Sequence, residues 1–240
     1  MTIPCIAVAG RKGGVGKTTV SCGLASVFSS QQKRVLVMDL DPQSNVAFAL
    51  GADPTAPGTA EVLMGKNPHP LTINSFLDVL PGGAELSNQT VQMTHPEDLA
   101  DAITNFQYEL IICDCPPGNE HLERLALVAA SSVLIVANAH PLAIMGAGRV
   151  MSELTSYQEK GRKIARRWAI VQSLIDKRRK LDKNLDAVLE EIYPDVERLI
   201  VQQDTELALA TANQVPILEH SPNSRGAKDL IKVAEWCLNA

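Results

Sequence analysis

A glycine-rich segment near the start of the chain combines the residue types that bind phosphate groups. Residues 10–19 read GRKGGVGKTT and lie between an apolar run at 3–9 and a helix-like stretch at 19–30. Glycines let the backbone bend tightly and bring its N–H groups close to phosphate oxygens, at the positive end of the following helix. Lys17 is expected to contact the β- and γ-phosphates, and the Thr18 hydroxyl to bind Mg²⁺. The residues predicted to bind the nucleotide are Lys12, Gly13, Gly14, Val15, Gly16, Lys17, Thr18 and Thr19.

Two strand-like segments end in aspartates that can bind a metal ion and orient a water molecule. Asp39 and Asp41 stand at the end of the apolar run 34–38, and Asp114 follows the run 110–113. Ligands of open α/β sheets bind at the carboxyl ends of the strands, so these acids should lie beside the phosphate loop. Asp39 is positioned to support Mg²⁺ or its waters, and Asp41 to orient or deprotonate an attacking water, while Asp114 contacts Mg²⁺, in part through water. The predicted catalytic residues are Lys12, Lys17 and Asp41, and the predicted metal ligands are Thr18, Asp39 and Asp114.

This set of residues fits phosphoryl transfer to water, and transfer to another acceptor, as in a kinase, is an alternative that the loop alone leaves open. Pro116, Pro117 and Gly118 form a stiff turn after Asp114 that can report loss of a γ-phosphate as a switch loop. No Ser-His-Asp or Cys-His arrangement is visible, and the five histidines show no ligand spacing, so no zinc site is predicted. The five cysteines lie mostly in apolar runs, which is typical of reduced residues in a cytosolic protein.

Short apolar runs alternate with amphipathic stretches along the whole chain. This alternation predicts an α/β fold with a doubly wound, mostly parallel sheet in one domain over residues 1–240. The proline-rich loop at 51–70 is interpreted as a surface excursion of that domain. Strands are predicted at 3–9, 34–38, 77–80, 110–113, 133–137, 168–174 and 198–201. Helices are predicted near 19–30, 96–106, 120–130, 144–160, 181–192, 205–213 and 224–239.

Composition and charge set the expected location and partners. No run approaches 18 uninterrupted apolar residues, and the start of the chain runs directly into the first strand, so neither a membrane span nor a signal peptide is expected. The net charge is −5, yet residues 158–183 contain ten basic and three acidic residues, which leaves −12 on the rest. This asymmetry favours a local face that binds a polyanion, and a solvated helix end is the alternative. The candidate DNA contacts are Arg166, Arg167, Lys177, Arg178, Arg179, Lys180 and Arg225.

Lys12 lies inside the phosphate loop, where most such loops carry no charge. With the spacing K-G-G-x-G-K-T, the chain resembles the ParA/MinD family of deviant Walker A ATPases. The sequences DLDPQ at 39–43 and DCPP at 114–117 also resemble motifs of that family, and weaker matches follow in the family's order. The resemblance implies a P-loop NTPase with ATP or ADP and Mg²⁺ as cofactors. It also implies a homodimer formed with ATP, in which Lys12 reaches the partner's phosphates, and a requirement for Asp41 in hydrolysis.

The C-terminal residues favour the ParA-like branch of this family. A MinD-like protein ends in a basic amphipathic helix that lies on the membrane, whereas residues 232–240 carry one Lys and one Glu. Trp236 and Leu238 are instead expected to pack on the domain. One departure puts the DNA face in doubt, because Gln203 and Glu206 stand where the branch carries basic residues.

The ParA-like resemblance implies a slow ATPase that is stimulated by a ParB-like protein or a cargo adaptor. It would bind DNA non-specifically and partition plasmid or chromosome DNA, or position another cargo. The expected location is cytoplasmic, and nucleoid-associated when ATP is bound, and membrane binding is not expected. The alternative is a MinD-like ATP-dependent dimer switch that docks on a membrane or on a secretion or flagellar apparatus.

Overall fold

The frame of the molecule is a sheet whose central strands are buried on both faces. The computed structural model describes residues 4–238. The strands in this part of the chain are β1 Cys5–Ala9, β2 Val35–Asp39, β3 Leu71–Asn74, β4 Leu77–Leu80, β5 Leu110–Asp114, β6 Ser132–Ala137, β7 Arg167–Ile175 and β8 Glu197–Gln202. They form one sheet in the order β3-β4-β2-β5-β1-β6-β7-β8. The β3–β4 pair is antiparallel and the other pairs are parallel.

Helices connect the strands and cover the sheet. The α-helices of the described residues are α1 Lys17–Ser30, α2 Asn45–Ala49, α3 Thr59–Leu63, α4 Gln89–Gln92, α5 Asp98–Ala102, α6 Glu120–Ala129, α7 Pro141–Glu159, α8 Lys180–Ile192, α9 Thr205–Ala212, α10 Ile217–His220 and α11 Arg225–Leu238. Short 3₁₀ helices span Ala84–Ser87 and Ile103–Asn105. α1 packs against α11, and α5 packs against α6.

The composition of the central strands explains their position. Every residue of β1, β2, β5 and β6 is buried, and most of these residues are Val, Ile, Leu or Ala. A parallel strand covered by helices on both faces has this continuous apolar pattern, because neither side of the pleat meets water. Asp39 and Asp114 are charged exceptions, and each is the last residue of its strand. The ends of β2 and β5 therefore hold buried carboxylates at the edge where the chain leaves the sheet.

The predicted doubly wound, mostly parallel fold is confirmed. The seven predicted strands are present, although residue 3 and residue 239 of the predicted first strand and last helix lie outside the described residues. β3 was not predicted, because its four residues are half-buried or exposed and lack a continuous apolar run. The helix predicted at 96–106 is shorter, since α5 ends at Ala102 and a 3₁₀ turn follows it. The loop at 51–70 contains α3, and the single-domain assignment over residues 1–240 remains a prediction.

The last helix turns its apolar face into the protein. Leu230, Val233 and Trp236 of α11 are buried. The prediction for Trp236 agrees with this arrangement, but the prediction for Leu238 is wrong, because that side chain is 49% exposed. Within residues 4–238, no helix combines the length and the hydropathy that crossing a bilayer requires.

Candidate phosphate-binding site

The phosphate loop connects β1 to α1 and ends at Gly16. This glycine has a φ of +93°, a left-handed conformation that side chains disfavour, and a Cβ there would lie 2.6 Å from the Ser173 hydroxyl oxygen. Gly16 makes no side-chain cap, so the first N–H groups of α1 have no capping side chain there. The loop therefore presents backbone donors and the positive end of a 14-residue helix to the same space.

The two lysines of the loop have different surroundings. Lys17 is 6% exposed, and its Nζ donates to the main-chain oxygen of Lys12 at 3.1 Å. Burial lowers the pKa of Lys17, while the carboxylate of Asp114 opposes this shift. The Lys12 side chain is only half-buried, and its Nζ donates to the adjacent Gly13 oxygen at 3.3 Å. Lys17 is thus built into the loop, whereas the Lys12 ammonium is available to a ligand or another molecule.

The Asp114 carboxylate accepts hydrogen bonds from two hydroxyl groups of α1. Thr18 Oγ1 donates to Asp114 Oδ2 and Ser21 Oγ donates to Asp114 Oδ1, each at 2.7 Å. Burial raises the pKa of Asp114 to about 6, although both hydroxyl groups and Lys17 favour the ionised form. Thr18 and Asp114, both predicted as metal ligands, are therefore in direct contact. Ser21 was missed because a serine inside a helix carries no motif of its own.

Asp39 orders the backbone that carries Asp41. Its two oxygens accept hydrogen bonds from the N–H groups of Asp41 at 2.8 Å and Val46 at 3.0 Å, and the side chain is fully buried. Burial, followed by the nearby Asp114 carboxylate, raises the pKa of Asp39 well above its usual range. A contact between Asp39 and a metal stays a prediction. In the structure, its carboxylate holds the turn after β2 and the start of α2.

Asp41 faces a cleft beside the phosphate loop. It is 9% exposed, and its Oδ1 accepts the N–H of Gln43 at 3.0 Å. The cleft has a volume of about 420 Å³. Its lining residues are Gly13, Gly14, Gly16, Lys17, Thr18, Thr19, Asp41, Asn45, Phe48, Ala49, Pro117 and Thr211. A larger groove of about 790 Å³ between α3 and α5 contains none of the phosphate-loop residues, so the smaller cleft is the candidate site.

The turn after β4 packs closely against the main chain of Asp41. A Cβ at Gly82 would lie 2.0 Å from the main-chain oxygen of Asp41, so only glycine fits this close approach. The Ser44 hydroxyl accepts the N–H of Gly83 at 2.9 Å and joins the two turns. Sequence reasoning found neither role. Asn45, Phe48 and Thr211 of the cleft were also missed, because α2 and α9 approach the loop only in the folded chain.

The basic residues do not form one face. Arg166 and Arg167 stand at the amino end of β7, whereas Lys177 follows its carboxyl end. Nine residues of strand separate the two groups by roughly 30 Å. The Arg167 guanidinium lies 3.8 Å from the centre of the Trp236 ring, and its Nη1 donates to the Trp236 main-chain oxygen at 2.8 Å. The expectation of a single polyanion-binding face over 158–183 is therefore wrong, because a strand that crosses the sheet divides the segment.

The second basic group lies at the carboxyl edge of the sheet. Lys177, Arg178, Arg179 and Lys180 follow β7 and are exposed. Arg225, at the start of α11, donates from Nη2 to the main-chain oxygen of Gln203 at 2.9 Å. Arg178 forms a bidentate pair with Asp176 and holds the pKa of that carboxyl well below its usual range. These cations share the strand ends that carry the phosphate loop, whereas Arg166 and Arg167 do not.

The donor set fits Mg²⁺ that arrives with phosphate groups. Within residues 4–238, no cluster of three or more His, Cys, Asp or Glu side chains could hold a metal ion. Mg²⁺ is usually held by one or two protein ligands, waters and substrate phosphates rather than by a protein cage. The Thr18 hydroxyl and the Asp114 carboxylate supply such a pair below the loop.

Comparisons with known proteins agree with this site. The family described as an AAA domain matches residues 3–167. The chain is 31% identical over 234 residues to the chromosome-partitioning ATPase Soj of Thermus thermophilus, covering 96% of this chain and 93% of that protein. It is 26% identical to the sporulation initiation inhibitor protein Soj of Bacillus subtilis, with 96% of each chain covered.

Solved structures share the fold at lower identity. Apo McdA of Cyanothece superposes with a TM-score of 0.84 at 20% identity, covering 98% of this chain and 99% of that one. The septum site-determining protein MinD of Pyrococcus horikoshii, solved with Mg-ADP, has a TM-score of 0.80 at 24% identity, covering 98% and 95%. The fold and the loop define a P-loop nucleotide-binding protein. Within that class, the chain belongs to the ParA/MinD family of deviant Walker ATPases, as its motifs predicted.

The raised pKa of Asp114 predicts a pH-dependent response to Mg²⁺. The pKa of Asp114 is about 6 in the folded state, whereas the usual pKa of an aspartate is 3.8, so the contribution of Asp114 to the free energy of unfolding falls as pH rises between these values. Because Mg²⁺ requires the ionised carboxylate, the gain in ADP affinity on adding Mg²⁺ should be small near about pH 5.5 and larger near about pH 7.5.

Calorimetric titration with ADP, with and without Mg²⁺ at both pH values, measures this gain. The nucleotide phosphates also titrate in this range, and Asp114→Asn is the control for that contribution. An equal pH dependence in Asp114→Asn and the unmodified protein would show that Asp114 does not set the response.

Proposed function

We infer that this chain is a ParA-like ATPase that binds Mg-ATP at the phosphate loop, pairs with a second copy, and hydrolyses ATP slowly. The observation that carries the inference is that the two loop lysines differ in burial and in their hydrogen bonds. Lys17 is buried, lines the cleft and is already bonded within the loop, whereas the half-buried Lys12 side chain lies outside the cleft lining and its ammonium donates to the adjacent Gly13 oxygen. The positive charge of Lys12 therefore suits phosphates presented by another subunit.

The remaining side chains fit the chemistry of phosphoryl transfer to water. Lys17 and the N–H groups of the loop neutralise phosphate charge, and Mg²⁺, when bound, supplies further charge neutralisation at the phosphates. Thr18 and Asp114 would hold that ion. Asp41 reaches the cleft and accepts one main-chain N–H, which leaves its second oxygen available to orient a water or take its proton.

Pro117 connects the site to the surface. It lines the cleft, and its Cβ lies 3.8 Å from the Cβ position of Gly13. The turn Pro116–Gly118 leads directly to Asn119, whose side chain accepts the N–H groups of His121 and Leu122 and caps α6. A change of phosphate occupancy that moves Pro117 would therefore move the start of α6. This link would let α6 respond to phosphate occupancy of the cleft, as switch segments do in nucleotide-dependent proteins.

We propose that the dimer binds DNA and that the group of cations at the carboxyl edge of the sheet contacts it. Lys177, Arg178, Arg179, Lys180 and Arg225 share the edge of the nucleotide site, so pairing of two subunits can align two such groups on one duplex. Glu206 is acidic and adds no cation, and its carboxylate lies 3.3 Å from His220 Nε2. Neutralised phosphates give affinity without sequence preference. A ParB-like protein or cargo adaptor would then stimulate hydrolysis and release, to partition DNA or position another cargo.

Replacing Lys12 and Asp41 separately should interrupt the proposed cycle at two different steps. Lys12→Ala should bind Mg-ATP but remain monomeric in light scattering, because the charge that reaches the partner is lost. Asp41→Ala should bind and dimerise, while turnover falls about 100-fold or more, as expected for loss of a general base. Lys66→Ala, an exposed lysine of another loop, controls for loss of charge. ATP-dependent dimers of Lys12→Ala, or normal turnover in Asp41→Ala, would contradict the assigned roles.

Charge reversal should separate the two basic groups. Lys177→Glu with Lys180→Glu should abolish ATP-dependent DNA retention at low salt and leave ATP-dependent dimerisation intact. Lys160→Glu with Lys163→Glu makes the same charge change before the amino end of β7, and should leave DNA retention within about twofold of normal. These lysines avoid the Arg178–Asp176 pair, whose reversal would place two acids in contact.

Equal losses from both lysine pairs would indicate a general charge effect rather than a face. A parallel assay with anionic vesicles tests the alternative function. ATP-dependent vesicle retention without DNA retention would overturn the DNA proposal and support a MinD-like switch.

A further inference from the structure

Arg11 belongs to the phosphate loop but points away from the cleft. It stands next to Lys12, yet its guanidinium contacts three glutamates on two helices that follow much later in the chain. Nε donates to Glu123 at 3.0 Å and Nη2 to Glu153 at 2.6 Å, while Nη1 pairs with Glu120. All the nitrogens of one side chain are thus engaged by α6 and α7, and the Arg11 side chain is only 14% exposed.

The three ion pairs differ in burial. The Glu123 side chain is 2% exposed and Glu153 is 11% exposed, whereas Glu120 is 57% exposed. An exposed ion pair contributes little to the free energy of unfolding, because water and salt screen it. Removing one partner of a buried ion pair destabilises the folded protein strongly, since an uncompensated charge remains in the interior. The anchoring of Arg11 therefore depends on Glu123 and Glu153 rather than on Glu120.

Glu123 also lies within the electrostatic field of the loop lysine. Its carboxylate favours the charged form of Lys17. Among the described residues, its Oε2 is a buried atom that has no hydrogen-bond partner. One carboxylate therefore balances the cation that fixes the loop to α6 and the cation that would bind phosphate. Arg124 extends the network outward, donating from Nε to the second oxygen of Glu153.

We propose that Arg11 is a positioning residue that fixes the first half of the phosphate loop on α6 and α7 through Glu123 and Glu153, so that these two glutamates, remote from the cleft lining, set nucleotide affinity. The Lys12 main-chain oxygen, which accepts the Lys17 ammonium, is one residue further along and keeps its place only while Arg11 is held. The proposal rests on nucleotide binding at the loop but not on dimerisation, DNA binding or hydrolysis.

The test compares two glutamates of the same helix that contact the same arginine. Glu123→Gln and Glu120→Gln are isosteric changes that differ in burial. Mg-ATP affinity of the full chain, measured by calorimetric titration, should weaken about tenfold in Glu123→Gln, because a charge-assisted bond is lost and fewer molecules hold the competent loop. Affinity in Glu120→Gln should stay within about twofold of normal. Thermal unfolding is measured on the same samples, and Glu153→Gln replaces Glu123→Gln if that variant does not fold.

A double variant separates positioning from direct contact with the nucleotide. Arg11→Gln combined with Glu123→Gln should bind Mg-ATP no more weakly than Arg11→Gln alone, because both changes break one network. A lowered unfolding temperature with unchanged Mg-ATP affinity in Glu123→Gln would reduce the network to a structural role and overturn the proposal. Loss of affinity in Arg11→Gln but not in Glu123→Gln or Glu153→Gln would overturn it in favour of a direct contact. Failure of the unmodified protein to bind Mg-ATP would instead refute the proposed function.

Discussion

Two aspartates lie side by side at the buried carboxyl edge of the sheet, and the register of β2 and β5 pairs Asp39 directly with Asp114. Neighbouring carboxylates in a dry environment repel each other, so each needs its own compensation. Asp39 receives two main-chain N–H groups, and Asp114 receives two hydroxyl groups and the field of Lys17. The turn that carries Asp41, the start of α1 and the phosphate loop are ordered by these contacts. A divalent cation beside Asp114 would relieve the remaining repulsion, so this arrangement of charges favours the ligand that the site is proposed to take.

The loop itself is held by a second set of charges on its far side. Lys17 faces the aspartates and Arg11 faces the glutamates of α6 and α7. Between them, the Lys12 ammonium donates only to the neighbouring Gly13 oxygen among the hydrogen bonds of residues 4–238. Three cations within seven residues would repel one another in an unsupported loop. Because two of them are compensated internally, the third can be directed outward. The proposed dimer contact and the Arg11 network are therefore parts of one arrangement of charge.

The chemistry of the site could be read from the sequence wherever it depends on neighbours in the chain. The position of Asp114 beside the phosphate loop was predicted from a loop, a strand end and the rule that ligands bind at the carboxyl edge, although its direct hydrogen bond with Thr18 was not. Arg11 could not be interpreted in this way, because its partners are 109 to 142 positions away and glutamates on helices carry no motif. The prediction of one face over the basic segment 158–183 was wrong for the opposite reason. Residues close in sequence were read as one surface, but β7 crosses the sheet between Arg167 and Lys177.

The strand order has a consequence for synthesis of the chain. β1 pairs with β5 and β6, whose residues lie more than 100 positions further along, and not with β2 or β4. An emerging chain therefore carries β1, whose residues are all buried in the folded protein, without its two neighbours until residues 110–137 have left the ribosome, roughly 5 to 25 seconds after β1 at usual elongation rates. Such distant parallel pairing is slow to form and exposes strand edges while it waits. The phosphate loop precedes these strands in the chain, so its site is complete only after β5, which carries Asp114, has been made.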